Sequence, residues 1–400
     1  MDPGAGFVAV VRVLVPRECC PGETRVAATP ETVRRLVAKG CRLSVERGAG
    51  QASGYGDDAY GEAGAELVEA KGAGADHWSR ADVVLAVQAA ALVRGRPELA
   101  SLPSGAVLLG LLEPHGNDDL KQQLQERQLT ALALELLPRI SRAQAMDVLS
   151  SQANVAGYKA VLLAAAALDR YVPMLMTAAG TIQPARALIL GAGVAGLQAL
   201  ATARRLGAVV YVSDVRAAAK EQVESLGGRF IDPPELEQKP GETGGYAQQA
   251  SEAFLAEQRR QLTEQLALAD MVICTAQVPG RPAPRLIDDA MLQHMRPGSV
   301  VVDLAVAQGG NCEGTEAGST VWRHGVQLIG GDALPCTVAN HASALYARNL
   351  AALLEHLLQA PAADAEAGPA LRLDLEDPIV AGCLFSHHAS PAPVAVGGAA

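Results

Sequence analysis

The chain is 400 residues long, enough for two or three domains with sizeable buried cores. Hydrophobic residues make up 49% of it and aromatics only 3%, so those cores must be built from Ala, Val, Leu and Ile. Acidic residues outnumber basic ones by 43 to 33, the net charge is −10, and no basic cluster offers a nucleic-acid footprint, so no nucleic-acid partner is expected.

The apolar stretches 83–87 and 161–168 fall far short of the ~20 residues that cross a bilayer, so no direct membrane span is expected. Residues 1–6 lack the charged and apolar regions of an export signal. Seven scattered cysteines with no C-x-x-C pair point to reduced thiols and a cytoplasmic setting. The histidines form no metal-ligand spacing, and no metal site is expected.

In chain order, residues 8–15 read as a buried strand. Thr29 followed by Pro30 starts a helix that ends at Lys39-Gly40. Strand signals at 42–45, 65–68, 83–87, 106–111 and 130–134 alternate with helical ones at 57–64 and 117–128, which predicts a parallel sheet covered by helices. Two polar clusters follow strand ends here. Arg25 is placed either to hold a carboxylate or phosphate or to sit in a loop ion pair. His115, in Glu113-Pro114-His115-Gly116, is either an acid/base group or a solvated turn residue.

Pro138 to Asp147 leads into an alanine-rich helix reaching about Leu168, with Ser141 as the expected cap. Gln144 and Asp147 are three apart and share a face, and Arg139 can fold back toward them. An amide, a carboxylate and a guanidinium grouped in this way suit the carboxamide of a nicotinamide ring, or are ordinary helix-start polarity.

Residues 187–190 then form an apolar run that ends in Gly191-Ala192-Gly193-Val194-Ala195-Gly196, followed by a helix that Gly207 stops. A second run, 209–213, delivers Asp214 at about the ~20-residue offset of an acid that meets an adenosine ribose. Gly191 permits the turn, Gly193 lets backbone amides approach a pyrophosphate, and Gly196 lets the helix lie on its strand. Asp214, followed by Val215 and Arg216, favours NAD(H) over NADP(H), although an arginine at 216 can also hold a 2′-phosphate.

A short strand at 229–231 and strands at 271–275, 299–304 and 326–329 complete six, with a helix near 288–295. The Pro-, Gly- and Gln-rich residues 232–249 are a linker or a functional flap. Thr275, Ala276 and Gln277 lie at a strand's carboxyl end and should border the nicotinamide. A helix over 344–358 and a strand-like piece at 378–385 close the chain. Ala81 to Leu85 resembles Ala269 to Ile273, an internal echo. The expected fold is α/β, two doubly wound Rossmann-like domains with parallel sheets and a cleft between them: 1–148 with 336–400, and 149–335.

These residues carry a family resemblance. Val15-Pro16-Arg17-Glu18 with Arg25-Val26-Ala27, the Pro138 to Asp147 segment, Thr177 to Ile182, the glycine motif, Asp214-Val215-Arg216, Gly244-Gly245-Tyr246-Ala247 and Val302-Asp303-Leu304 with Gly309 to Cys312 resemble the NAD(H)-binding alpha subunit of proton-translocating NAD(P) transhydrogenase. The resemblance implies that Arg139, Gln144 and Asp147 position the nicotinamide, that Ser150 contacts the nucleotide, and that Gly245 and Tyr246 lie on a loop that closes over it. It also implies a homodimer, an NADP(H)-binding beta subunit and membrane subunits as partners, and a place on the inner membrane through them. Alanine dehydrogenases are similar too, but their acid/base lysine, histidine and aspartate positions are taken here by Gln88, Glu113 and Ala307. Those absences suit hydride transfer between two nicotinamides, which moves no proton at the reacting carbons.

Overall fold

The structure is a computed structural model, and it describes residues 10–70, 75–234, 252–278, 280–359 and 369–388. The chain divides into two compact units, Met1–Gln152 with Cys336–Ala400, and Ala153–Pro335.

In the first unit, strands β1 (Arg12–Val15), β2 (Arg42–Glu46), β3 (Glu66–Val68), β4 (Val83–Leu85), β5 (Val107–Gly110) and β6 (Thr130–Ala133) are parallel, in the order β3-β2-β1-β4-β5-β6. The second unit repeats this order. Strands β9 (Arg186–Leu190), β10 (Val209–Ser213), β11 (Arg229–Ile231), β12 (Met271–Cys274), β13 (Val300–Asp303) and β15 (Val326–Gly330) run parallel as β11-β10-β9-β12-β13-β15. In both sheets the strand order reverses beside the first strand, between β1 and β4 and between β9 and β12. Loops leave these strands in opposite directions there and open a crevice at their carboxyl ends.

Each sheet is mixed rather than purely parallel, because a seventh strand pairs antiparallel at one edge. In the first unit it is β18 (Leu384–Ser386) against β6, and in the second it is β14 (Thr320–Arg323) against β15. Residues 378–385, expected to be extended, instead form the helix Pro378–Cys383 before β18. Asp377 caps that helix by accepting the Ile379 amide at 2.9 Å, and proline fits its first turn. Two antiparallel pairs complete the described strands: β7 (Leu175–Thr177) with β8 (Gly180–Ile182), and β16 (Leu358–Gln359) with β17 (Ala370–Leu371).

Both sheets are buried on both faces, as near-continuous apolar strands require. In the second unit Ala187, Ile189, Val210, Val212 and Ile273 face Ala160, Ala164, Ala199 and Ala203 of two helices, Val148–Ala167 and Val194–Arg205. Leu188, Leu190, Val272, Val301 and Leu328 face Leu266 and Leu292 on the other side. The alanines let the two helices approach closely: a Cβ on Gly157 would land on the Ala195 carbonyl.

The internal echo has a structural counterpart. Asp82, just before β4, accepts the Arg12 amide at 2.8 Å and returns its own amide to the Arg12 carbonyl at 2.9 Å. Asp270, just before β12, makes the same two bonds with Arg186, also at 2.8 and 2.9 Å. Among the described residues no helix is long and apolar enough to cross a membrane.

Candidate functional site

The glycine motif leaves β9 at the strand-order reversal of the second unit. Gly191 has φ +103° and donates its amide to the Ser213 carbonyl at 2.8 Å, a conformation that side chains rarely adopt. Gly193 caps the helix Val194–Arg205 with extended backbone and no side-chain hydrogen bond, and a Cβ there would meet nothing within 4 Å. Gly196 is the opposite case, since its Cβ would strike the Gly191 carbonyl. The first orphan amides of this helix therefore face an open, unobstructed turn, the arrangement that binds an anion at a helix N-terminus.

Asp214 follows β10 and reaches under this turn. Its carboxylate accepts the Ala192 amide at 2.7 Å and the Arg216 amide at 2.8 Å. The Arg216 guanidinium adds two bonds, Nε at 2.9 Å and Nη2 at 3.0 Å. Burial works to raise the Asp214 pKa, but the bonds from Arg216 and Ala192 and the nearby positive charge outweigh it and hold the carboxyl below the ordinary aspartate range. Val194 and Val215 are both exposed beside this turn.

At the end of β12, the Thr275 hydroxyl lies 3.0 Å from the carbonyls of both Leu190 and Gly191, so it braces the glycine turn from beneath. Ala276 is held on both sides by the fully buried Asn311, whose Oδ1 accepts the Ala276 amide at 3.0 Å while its Nδ2 donates to the Ala276 carbonyl at 2.8 Å. Gln277 is exposed and donates to the Leu304 carbonyl at 2.7 Å. Asn311 and Gly157 are supports that sequence reasoning did not single out for the site. For Gly157 the signal was present, a glycine inside an alanine-rich helix with no turn to make.

In the first unit, Ser141 does not cap the long helix. Residues Ser141–Met146 form a 3₁₀ turn, and the α-helix begins at Val148 with Asp147 as its cap. The Asp147 carboxylate accepts the Ser150 amide at 2.9 Å and the Ser150 hydroxyl at 2.6 Å, so these two expected residues meet. The tight 3₁₀ turn still sets Gln144 and Asp147 one turn apart, since its period is three. Arg139 and Gln144 are exposed and make no side-chain hydrogen bond among the described residues. Gly244, Gly245, Tyr246 and Ala247 lie outside the described residues.

His115 is exposed in its turn. Arg25 is not a surface arginine. It is 6% exposed, and Glu23 takes its guanidinium bidentately, Nε at 2.8 Å and Nη2 at 2.6 Å. Its remaining Nη1 donates to Gln152 at 2.9 Å. Glu18, in the same loop after β1, accepts the amides of Val87 at 2.6 Å and Gln88 at 3.0 Å at the end of β4. Burial chiefly, with the adjacent Glu23 charge, pushes its pKa up to about 7 against the lowering effect of those amides.

Comparison with known proteins agrees with this architecture. Residues 14–156 match the family model "Alanine dehydrogenase/PNT, N-terminal domain" and residues 160–389 the model "Alanine dehydrogenase/PNT, C-terminal domain". The chain is 49% identical over 342 residues to an NAD(P) transhydrogenase alpha subunit polypeptide of Rhodospirillum rubrum, covering 85% of this chain and 88% of that one. It is 30% identical over 305 residues to the alanine dehydrogenase of Bacillus subtilis, covering 75% and 71%. The crystal structure of transhydrogenase from Sinorhizobium meliloti superposes with a TM-score of 0.81 at 43% identity, over 94% of this chain and 99% of that one. Two buried-sheet units with a glycine turn at the second reversal point, matched over nearly the whole length at this identity, place the chain in the alanine dehydrogenase/PNT family, among the NAD(P) transhydrogenase alpha subunits.

Proposed function

We propose that the chain binds NAD(H) and passes hydride directly between it and NADP(H) held by a partner beta subunit, with membrane subunits coupling the transfer to proton movement. The observation that carries this reading is the turn at residues 191–196: open helix amides above Gly193, close packing at Gly196, and a carboxylate at Asp214 beside them. The pyrophosphate takes the open amides, and the ribose hydroxyls take the Asp214 oxygens that Arg216 now fills. Gly245 and Tyr246 close over the nucleotide. Arg139, Gln144 and Asp147 hold the nicotinamide carboxamide, and Ser150 fixes Asp147 for that task. This chain's residues then supply position rather than protons, which is what a transfer between two C4 carbons needs.

The test is to mix the chain with an NADP(H)-binding transhydrogenase subunit and follow reduction of an NAD analogue by NADPH. Transfer that depends on both proteins is the expected result. NADH binding without transfer would leave only a sensing module, and alanine-dependent NAD reduction by the chain alone would make it an amino-acid oxidoreductase. We also propose a homodimer, supported by the β7–β8 hairpin. A two-stranded hairpin is marginal by itself, and Met176 is 72% exposed there beside exposed Met174, Tyr171 and Ile182. Sedimentation should give twice the 41.3 kDa chain mass, and a monomer at micromolar concentration removes the dimer.

Asp214→Asn should relax the preference for NADH over NADPH, because a neutral amide no longer repels a 2′-phosphate. The ratio of the two dissociation constants measures this. An unchanged ratio takes Asp214 out of the ribose site.

A further inference from the structure

The glycine turn uses the carboxyl ends of β9 and β10. Toward the amino ends of the same sheet stands a second polar cluster, which the nucleotide reading does not use. Arg186 opens β9 and Arg229 opens β11. Between them, on β10, Tyr211 pairs in register with Arg229 on one side and with Leu188 on the other. Side chains two residues apart along a strand share a face, so all three project from the face that carries Leu188 and Leu190.

The cluster has donors without acceptors. The Arg186 guanidinium lies over the Tyr211 ring, 3.5 Å from its centroid, and the Arg229 Nη1 donates to the Tyr211 hydroxyl at 2.7 Å. A hydroxyl that accepts in this way keeps its own proton to donate. Arg186 bonds Gln265 through Nη2, but its buried Nε has no hydrogen-bond partner among the described residues. The Asp270 carboxylate close by is already committed. Its Oδ1 accepts the Arg170 Nη1 at 2.9 Å with the Arg296 Nη1 3.6 Å away, and its Oδ2 accepts the Arg186 main-chain amide at 2.8 Å. Among the described residues, neither the Arg186 nor the Arg229 guanidinium has a carboxylate partner. Burial chiefly lowers the Arg186 pKa, and the positive charges of Arg229 and Arg296 lower it further, which an anion among them would relieve.

We propose that Arg186, Arg229 and Tyr211 form an oxyanion site, separate from the glycine turn, that takes a small phosphate: inorganic phosphate or the terminal group of a phosphate monoester. Guanidinium forks and a hydroxyl donor from three adjacent strands suit the several oxygens of a tetrahedral anion, whereas chloride can meet them only as a point charge. Two cations without a counter-charge are a local excess in a chain whose net charge is −10. The site lies within the second unit and stands whether or not a nucleotide binds at the glycine turn.

The test uses the full chain, with inorganic phosphate as the probe in one arm, glycerol 3-phosphate in the other, and chloride at equal ionic strength as the control. At least one of the two phosphates should raise the unfolding temperature saturably. Saturation by both shows a site open to monoesters, and saturation by inorganic phosphate alone shows a site for the free anion. A response to neither, or one no larger than that to chloride, overturns the proposal. Arg229→Met, at an exposed position, and Tyr211→Phe, which keeps the ring under Arg186, should each weaken phosphate binding by at least about tenfold. Should Arg229→Met fail to fold, Arg229→Lys keeps the charge, loses the fork and should show the same loss. Gly193→Ala should leave the phosphate response in place. A response that vanishes in Gly193→Ala and survives in the Arg229 and Tyr211 variants would assign the anion to the glycine turn and overturn the second site.

Discussion

Gly193→Ala should weaken NADH binding by about a hundredfold, or about 2.7 kcal/mol, while leaving thermal unfolding where it was. The physical reason is that a methyl group at 193 meets no protein atom within 4 Å, so the folded chain has no cause to resist it. What it would meet is a pyrophosphate lying against the amides of the helix Val194–Arg205. Gly196→Ala is the matched contrast. Its methyl strikes the Gly191 carbonyl, so the chain itself should lose about 1–3 kcal/mol of stability together with NADH affinity. Calorimetric titration with NADH and thermal melts of both variants separate the two cases. Unchanged NADH affinity in Gly193→Ala would show that no phosphate approaches this turn.

Gln144→Asn should slow hydride transfer to a bound NADP analogue by about a hundredfold, with NADH affinity held within about twofold. The 3₁₀ turn Ser141–Met146 presents Gln144 to solvent with its amide unengaged, while Asp147 is fixed by Ser150. Shortening the side chain by one methylene withdraws the amide by about an ångström. Binding tolerates that, whereas the geometry of two rings at contact distance does not. Stopped-flow transfer alongside an NADH titration gives both quantities, and a change confined to affinity would remove Gln144 from a positioning role.

The glycine turn was legible because its signals are local. A strand, three glycines, a helix and an acid after the next strand each act within a few residues, and Gly191, Gly193 and Gly196 each stand where that geometry needs them. That the sheets are mainly parallel was legible in the same way, from alternation. The antiparallel edges β14 and β18 were not, since direction depends on how the chain returns and not on which residues it returns with. At 378–385 the mixture of Ile, Val, Leu and Phe suggested a strand, yet Asp377-Pro378 carries a readable helix start. At 141 the expected cap was plausible chemistry at the wrong place, because a 3₁₀ turn intervened and passed the capping role to Asp147. The loop ion pair offered for Arg25 is present, with Glu23 as its partner, but its burial had no sequence signal. It depends on one turn at Gly22 and on Gln88 and Cys336 arriving from far along the chain.

The paired clamps at Asp82 and Asp270 have a consequence for where ligands can sit. Each fixes its strand against the neighbouring first strand at the amino end, in the same sheet position and with the same two bonds. Strands of three to five residues have no slack, so a register fixed at one end sets the height at which the chain leaves at the other. Each aspartate therefore works as the zero mark of a ruler about four residues long. In one unit that ruler ends at the glycine turn, and in the other at the loop that carries Glu23. Two loops of unrelated sequence are thus delivered to the same place in their sheets, each at the strand-order reversal of its unit.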